Sequence, residues 1–97
     1  MIVDVDQLEV IHAPERLRFE AEIQDEKAIV AYRVKGRKML IVSTRVPPQA
    51  EGQGVAAKLT RKALSYARDQ GYGVVPLCSY TQAYLRRHRD NYSDLTM

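Results

Sequence analysis

Apolar and polar residues alternate over residues 16–23, with Leu17, Phe19, Ala21 and Ile23 on one side and Arg18, Glu20 and Glu22 on the other. A period of two sends successive side chains to opposite faces of an extended backbone, so this segment reads as a half-buried strand. The polar group Gln24, Asp25 and Glu26 turns the chain into a second strand over residues 27–34, carried by Ile29, Val30 and Tyr32. Lys35 and Gly36 turn it again into an apolar, β-branched strand over residues 39–46, stopped by Pro47 and Pro48. Three strands joined by short polar turns predict an antiparallel meander. The period then changes: Val55, Ala56, Leu59, Ala63, Tyr66 and Ala67 recur at helical spacing up to Gly71, a helix stop signal. A short apolar strand follows over residues 73–77, and a helical crossover places it parallel to the strand before it. Residues 80–88 carry enough periodicity for a short last helix. Residues 90–97 show no pattern, although Tyr92 and Leu95 are available to pack back on the body. The predicted fold is α+β, in the order βββαβα, with one mixed sheet and helices packed on it. The 97 residues leave room for one domain, 1–97.

Between the third strand and the long helix lies Glu51-Gly52-Gln53-Gly54-Val55-Ala56-Ala57. The first N–H groups of a helix have no intrahelical partner, and with the positive end of the dipole they attract an anion. Glycines let a phosphate approach the backbone with no Cβ in the way. A tight turn whose small residues allow close helix packing accounts for the same pattern, and the motif alone leaves both readings open. A Walker A loop is excluded, because no Gly-Lys-Ser/Thr follows at the required spacing. Gly52-Gln53-Gly54-Val55-Ala56-Ala57 fits a dinucleotide fingerprint literally, but that motif opens a parallel sheet and expects an acid about 20 residues on. Here antiparallel strands come first, and Asp69 lies inside the helix.

Charge and cysteine count narrow the class further. A formal net charge of +3, from 15 Lys and Arg against 12 Asp and Glu, suits an acidic ligand. The one dense basic cluster is Arg86, Arg87, His88 and Arg89. Nucleic-acid binding through it would require interleaved aromatics or a base-reading element, and neither is evident, so nucleic acid is disfavoured as a partner. A single cysteine excludes an internal disulfide and points to a reduced, cytoplasmic setting. The N-terminus carries acids where a signal peptide carries bases, and no apolar run approaches the roughly 20 residues of a membrane span. No metal-ligating set is assigned.

The order of elements and this loop resemble the GNAT superfamily of N-acetyltransferases, whose acetyl-CoA site has the pattern Q/R-x-x-G-x-G/A at the start of a central helix. Glu51-Gly52-Gln53-Gly54-Val55-Ala56 stands in that place. The likeness is closer to the short, single-domain, YjdJ-like branch. It rests on Val46-Pro47, on the loop, and on Val75-Pro-Leu-Cys-Ser-Tyr followed by Tyr84-Leu-Arg-Arg-His. Two positions depart from the pattern: Glu51 replaces the usual Arg or Gln, and Ser43-Thr44 stands where many relatives have His-Thr.

The resemblance implies acetyl-CoA as cofactor and a small-molecule or protein amine as acceptor. It places the pyrophosphate on the loop, with Gly52, Gln53, Gly54, Val55 and Ala56 as binding residues, and the pantetheine arm along the backbone of Arg45 and Val46. Tyr84 falls where the superfamily carries the tyrosine that reprotonates the leaving thiolate. A phenol titrating near 10 keeps its proton at neutral pH, whereas the competing reading has Tyr84 simply packing on the sheet. Cys78 stands beside the CoA thiol in relatives. It reads as a nucleophile favoured by the next helix start, as a packed small hydrophobe, or as a site of disulfide capture by CoA. Arg87 is placed to pair with a CoA phosphate. His12 and His88 read as surface residues, and no acid stands out as general base. A CoA or acyl-CoA binding module with little transferase activity is the alternative, favoured by the small size and by Glu51.

Overall fold

The computed structural model describes residues 1–96. Its core is one five-stranded sheet in the order β1-β2-β3-β4-β5: β1 Ile11–Ala13, β2 Arg18–Ile23, β3 Glu26–Lys35, β4 Lys38–Arg45 and β5 Gly73–Pro76. The first four strands pair antiparallel, and β5 pairs parallel to β4. Helix α1, Val55–Gln70, makes the crossover, followed after β5 by α2, Ser79–Arg87, and the single turn α3, Arg89–Tyr92. The meander, the crossover and the mixed sheet stand as the pattern predicts.

Two departures occur at the N-terminal end. Ile11-His12-Ala13 forms an extra edge strand, pairing Ile11 with Glu20 and Ala13 with Arg18. Three residues are too few for alternation to register, and Pro14 ends the strand at once. The next strand starts at Arg18 rather than at residue 16, because Pro14–Arg16 is a 3-10 turn closed by Leu17 in the left-handed region (φ 56). Leu17 consequently lies at the surface, 38% exposed, instead of sharing the core face with Phe19.

One face of the sheet carries Phe19, Ala21, Ile23, Ala28, Val30, Tyr32, Met39 and Ile41, all buried against Leu59, Ala63, Leu64 and Ala67 of α1. Burial of that face supplies most of the stabilisation, at about 25 cal/mol per Å² of apolar surface removed from water. Tyr84 and Leu85 of α2 and Leu95 join the same cluster. The C-terminal residues do pack back: the Leu95 carbonyl accepts from Val74 N–H at 2.7 Å, which covers part of the β5 edge. On the opposite face Glu20 is buried and gathers Arg18 at 2.6 Å, Arg16 at 3.1 Å and Lys27 at 3.4 Å. These cations hold its carboxyl down at about 2, the Arg16 bond contributing most.

Two irregularities shape the end of the sheet beside α1. Ala31 pairs with Ser43 but Tyr32 pairs with Ile41, so Val42 is an extra residue, a bulge in β4. The β4–β5 ladder also ends at Ile41–Pro76. Beyond it the Ile41 carbonyl accepts from both Leu77 N–H (3.0 Å) and Cys78 N–H (3.1 Å), and the strands part.

The N-terminal segment is tied down beside the loop that precedes α1. Lys58 Nζ donates to the carbonyls of Val5 (2.7 Å), Leu8 (2.6 Å) and Asp6 (3.3 Å). Gln53 accepts from Val3 N–H at 2.8 Å and donates to the Met1 carbonyl at 2.9 Å. Bonds from a charged donor contribute roughly 1.5–3 kcal/mol together with the geometry they impose. We therefore expect Lys58→Met to lower unfolding free energy by about 1–3 kcal/mol in urea titration and to speed amide exchange of residues 5–10. Unchanged exchange there would show that the segment is held by its apolar contacts alone.

Candidate active site

Past the point where the β4–β5 ladder ends lies a cleft of about 340 Å³. Thr44 of β4, Val46 just beyond that strand and Tyr80 of α2 line it. The loop and first turn of α1, from Ala50 through Glu51, Gly52, Gly54, Val55, Ala56 and Ala57, close its end.

The loop takes its shape from its glycines. Gly52 has φ 77 and Gly54, the residue capping α1, has φ 91, a region that costs L side chains about 1–2 kcal/mol. A Cβ at either position would meet no atom within 4 Å. Close packing against this chain is therefore not what requires them; left-handed backbone is, and the space they face is open. Gly54 offers α1 no side-chain cap, and the first intrahelical bond runs from Lys58 N–H to the Gly54 carbonyl at 3.0 Å. The N–H groups of Val55, Ala56 and Ala57 accordingly have no intrahelical acceptor. Glu51 lines the same cleft and sets a carboxylate at its lip.

Seven of the sequence-derived positions fall at or beside this cleft. Gly52, Gly54, Val55, Ala56 and Val46 line it. Arg45 ends β4 with its side chain exposed, and Cys78, capping α2, donates its thiol to Thr44 Oγ1 at 3.4 Å. Burial alone would push the thiol up, but the Thr44 hydroxyl and the backbone N–H groups of Thr81 and Tyr80 bring it below its ordinary value. This arrangement favours the thiolate at the start of α2.

Three positions stand apart from the cleft lining. The Gln53 side chain is turned to the N-terminal segment, leaving its backbone in the loop. Tyr84 is only 4% exposed, its ring centroid 4.3 Å from His88 and 6.3 Å from Tyr80. Arg87 is exposed and lines a separate groove with Arg86, His88 and Arg89. Its charge nevertheless reaches Tyr80: burial and then Tyr84 raise the Tyr80 phenol above its ordinary value, while Arg87 and Arg61 oppose the rise.

Thr44 and Tyr80 line the cleft; both stand in segments that the resemblance covers, but neither drew a site role from the sequence. Thr44 turns toward Cys78 because the bulge at Val42 resets the alternation of β4, and a bulge leaves no mark in a single sequence. Tyr80 had a signal, since it lies one helical turn before Tyr84. His12 is half-buried, with one side of its ring against aromatic neighbours. It stacks on Phe19 (centroids 4.2 Å apart, 5° between planes), meets the edge of Tyr66, and its Nε2 lies 2.6 Å from the Tyr32 hydroxyl. Burial, with a smaller contribution from Tyr66, pushes Tyr32 up to about 12, and burial lowers His12. The imidazole and the phenol are thus hydrogen-bonded to each other away from the cleft.

A family model described as GCN5-related N-acetyl-transferase matches residues 18–95. Among solved structures, the NMR solution structure of a GCN5-like candidate N-acetyltransferase from Staphylococcus aureus superimposes with a TM-score of 0.74 at 26% sequence identity. The match covers 93% of this chain and 88% of that one.

Of the hydrogen bonds that lower the Cys78 thiol, the one to Thr44 contributes most. Thr44→Val removes it, and the pH midpoint for alkylation of Cys78 by iodoacetamide should move upward. An unmoved midpoint would leave the α2 backbone alone responsible.

Proposed function

Because the chain belongs to the GCN5-related N-acetyltransferase family, we propose that it transfers an acetyl group from acetyl-CoA to an amine at the cleft formed by the end of β4, the loop before α1 and the start of α2. The observation that carries this reading is the open space over Gly52 and Gly54, bordered by the unpartnered N–H groups of the first turn of α1. The residues fit the cofactor. The N–H groups of residues 52–56 would hold its pyrophosphate, the positive end of the α1 dipole would add roughly 0.3–1 kcal/mol, and the β4 backbone at Arg45 and Val46 would flank the pantetheine arm. When bound, acetyl-CoA supplies an activated acetyl thioester.

The chain's own groups account for binding, orientation and proton handling. Glu51 opposes anion binding at the lip and so limits affinity. Arg87 lies near enough to Tyr80 to oppose part of the rise of its phenol and would meet a phosphate from the α2 side. One phenol, Tyr80, lines the cleft, and Tyr84 lies buried one helical turn beyond it. The raised Tyr80 phenol keeps its proton at neutral pH, as a proton donor to a departing thiolate must. Cys78 presents a thiol biased toward thiolate, oriented by Thr44. Its Sγ makes no side-chain cap bond to α2, so its place at the helix start, where the dipole favours a thiolate, and the Thr44 contact are what support a nucleophile.

Calorimetry with acetyl-CoA and turnover with a panel of amines test this reading. Gly54→Ala should weaken acetyl-CoA binding about tenfold or more, with a stability cost of about 1–2 kcal/mol from the left-handed backbone. Binding as tight as wild type by the folded variant would remove the phosphate from the loop. Glu51→Gln should tighten binding, more at low salt than at high salt.

Proton delivery is tested separately. Tyr80→Phe should lower turnover by roughly 10²–10⁴ with acetyl-CoA affinity little changed, and Tyr84→Phe by less. The reverse order would assign the proton to Tyr84. Tight cofactor binding with no amine acetylated would contradict acetyl transfer.

A further inference from the structure

The helices pack on one face of the sheet, and the other face presents a second recognition surface. Cross-strand partners share a face, so the register places Arg33, Leu40 and Val75 in one row across β3, β4 and β5, with Lys35 and Lys38 in the next. Leu40 and Val75 are half-buried floor residues. Lys35, Gly36, Arg37 and Lys38 rim a groove of about 520 Å³ above them.

No Asp or Glu occurs between Lys27 and Glu51, or between Asp69 and Asp90. The strands forming this end of the sheet therefore bring Arg33, Lys35, Arg37 and Lys38 together with no acid among them. None of the four makes an ion pair among the described residues, although Arg37 also reaches the end of α1 at Gly71. Like charges held this close repel one another, and an anionic partner relieves that cost. The apolar floor adds a second requirement that a phosphate backbone does not meet.

We propose that this groove docks an acidic peptide segment of another protein, with its carboxylates on the cationic rim and an apolar side chain on Leu40 and Val75. Recognition of acidic motifs by basic clusters is a recurrent mode, and the apolar anchor supplies the desolvated contact. The buried acid on this face, Glu20, is already engaged by Arg16, Arg18 and Lys27. The surface is independent of the acetyl-transfer reading, because the groove takes the Lys38 end of β4 and the cleft takes the Val46 end.

The test is fluorescence anisotropy of the intact chain with a short labelled peptide of alternating Glu and Leu, beside a Glu-Ser counterpart. The Glu-Leu peptide should bind, more weakly as salt rises. Lys35→Glu with Lys38→Glu should weaken it about tenfold or more, and the Glu-Ser peptide should bind less well. Circular dichroism checks the fold of the double variant, and Lys35→Ala with Lys38→Ala gives the same comparison with less perturbation. The proposal is overturned by affinity that ignores these substitutions or by equal binding of the Glu-Ser peptide. It is also overturned by tighter binding to phosphatidylserine vesicles or to single-stranded RNA, or by self-association that the double variant abolishes.

Discussion

The Ile41 carbonyl sets the geometry of the cleft. It accepts the N–H groups of both Leu77 and Cys78, so the parallel ladder closes there and β4 and β5 separate. One residue later the bulge at Val42 changes the alternation of β4 and turns Thr44 toward Cys78. The cleft, the thiol at the head of α2 and Tyr80 all lie past that separation. A sheet paired along its full length would cover the end of β4 with ladder hydrogen bonds.

The loop before α1 depends on a different constraint. Two left-handed glycines with open space above them keep backbone N–H groups facing the cleft, while Gln53 and Lys58 fasten the N-terminal segment alongside. Rigidity is supplied from the protein side, so an anion meets a preformed set of donors and little ordering cost falls on binding. Glu51 works against this. A carboxylate at the lip reduces attraction for a polyanion.

Much of this was legible in the sequence, for physical reasons. Period-two alternation and short polar turns specify the meander, helical spacing specifies α1, and the glycines mark the loop, since each signal is local. The strand at residues 11–13 escaped because three residues carry no period. Leu17 was misplaced because the turn at Pro14 ends in a left-handed residue that no pattern announces. Thr44 and Tyr80 became site residues only through a bulge and a parting of strands, both of which are tertiary. His12 looked like a surface residue because stacking on Phe19 and Tyr66 joins positions far apart in the chain.

Amide NMR shifts on titration with acetyl-CoA test the central claim most directly. The account predicts that the largest changes fall on the N–H groups of residues 52–57 and of Arg45, Val46 and Cys78, while residues 33–40 at the far end of β3 and β4 stay still. Saturating acetyl-CoA that leaves the loop unmoved, or that shifts the far end instead, would contradict it.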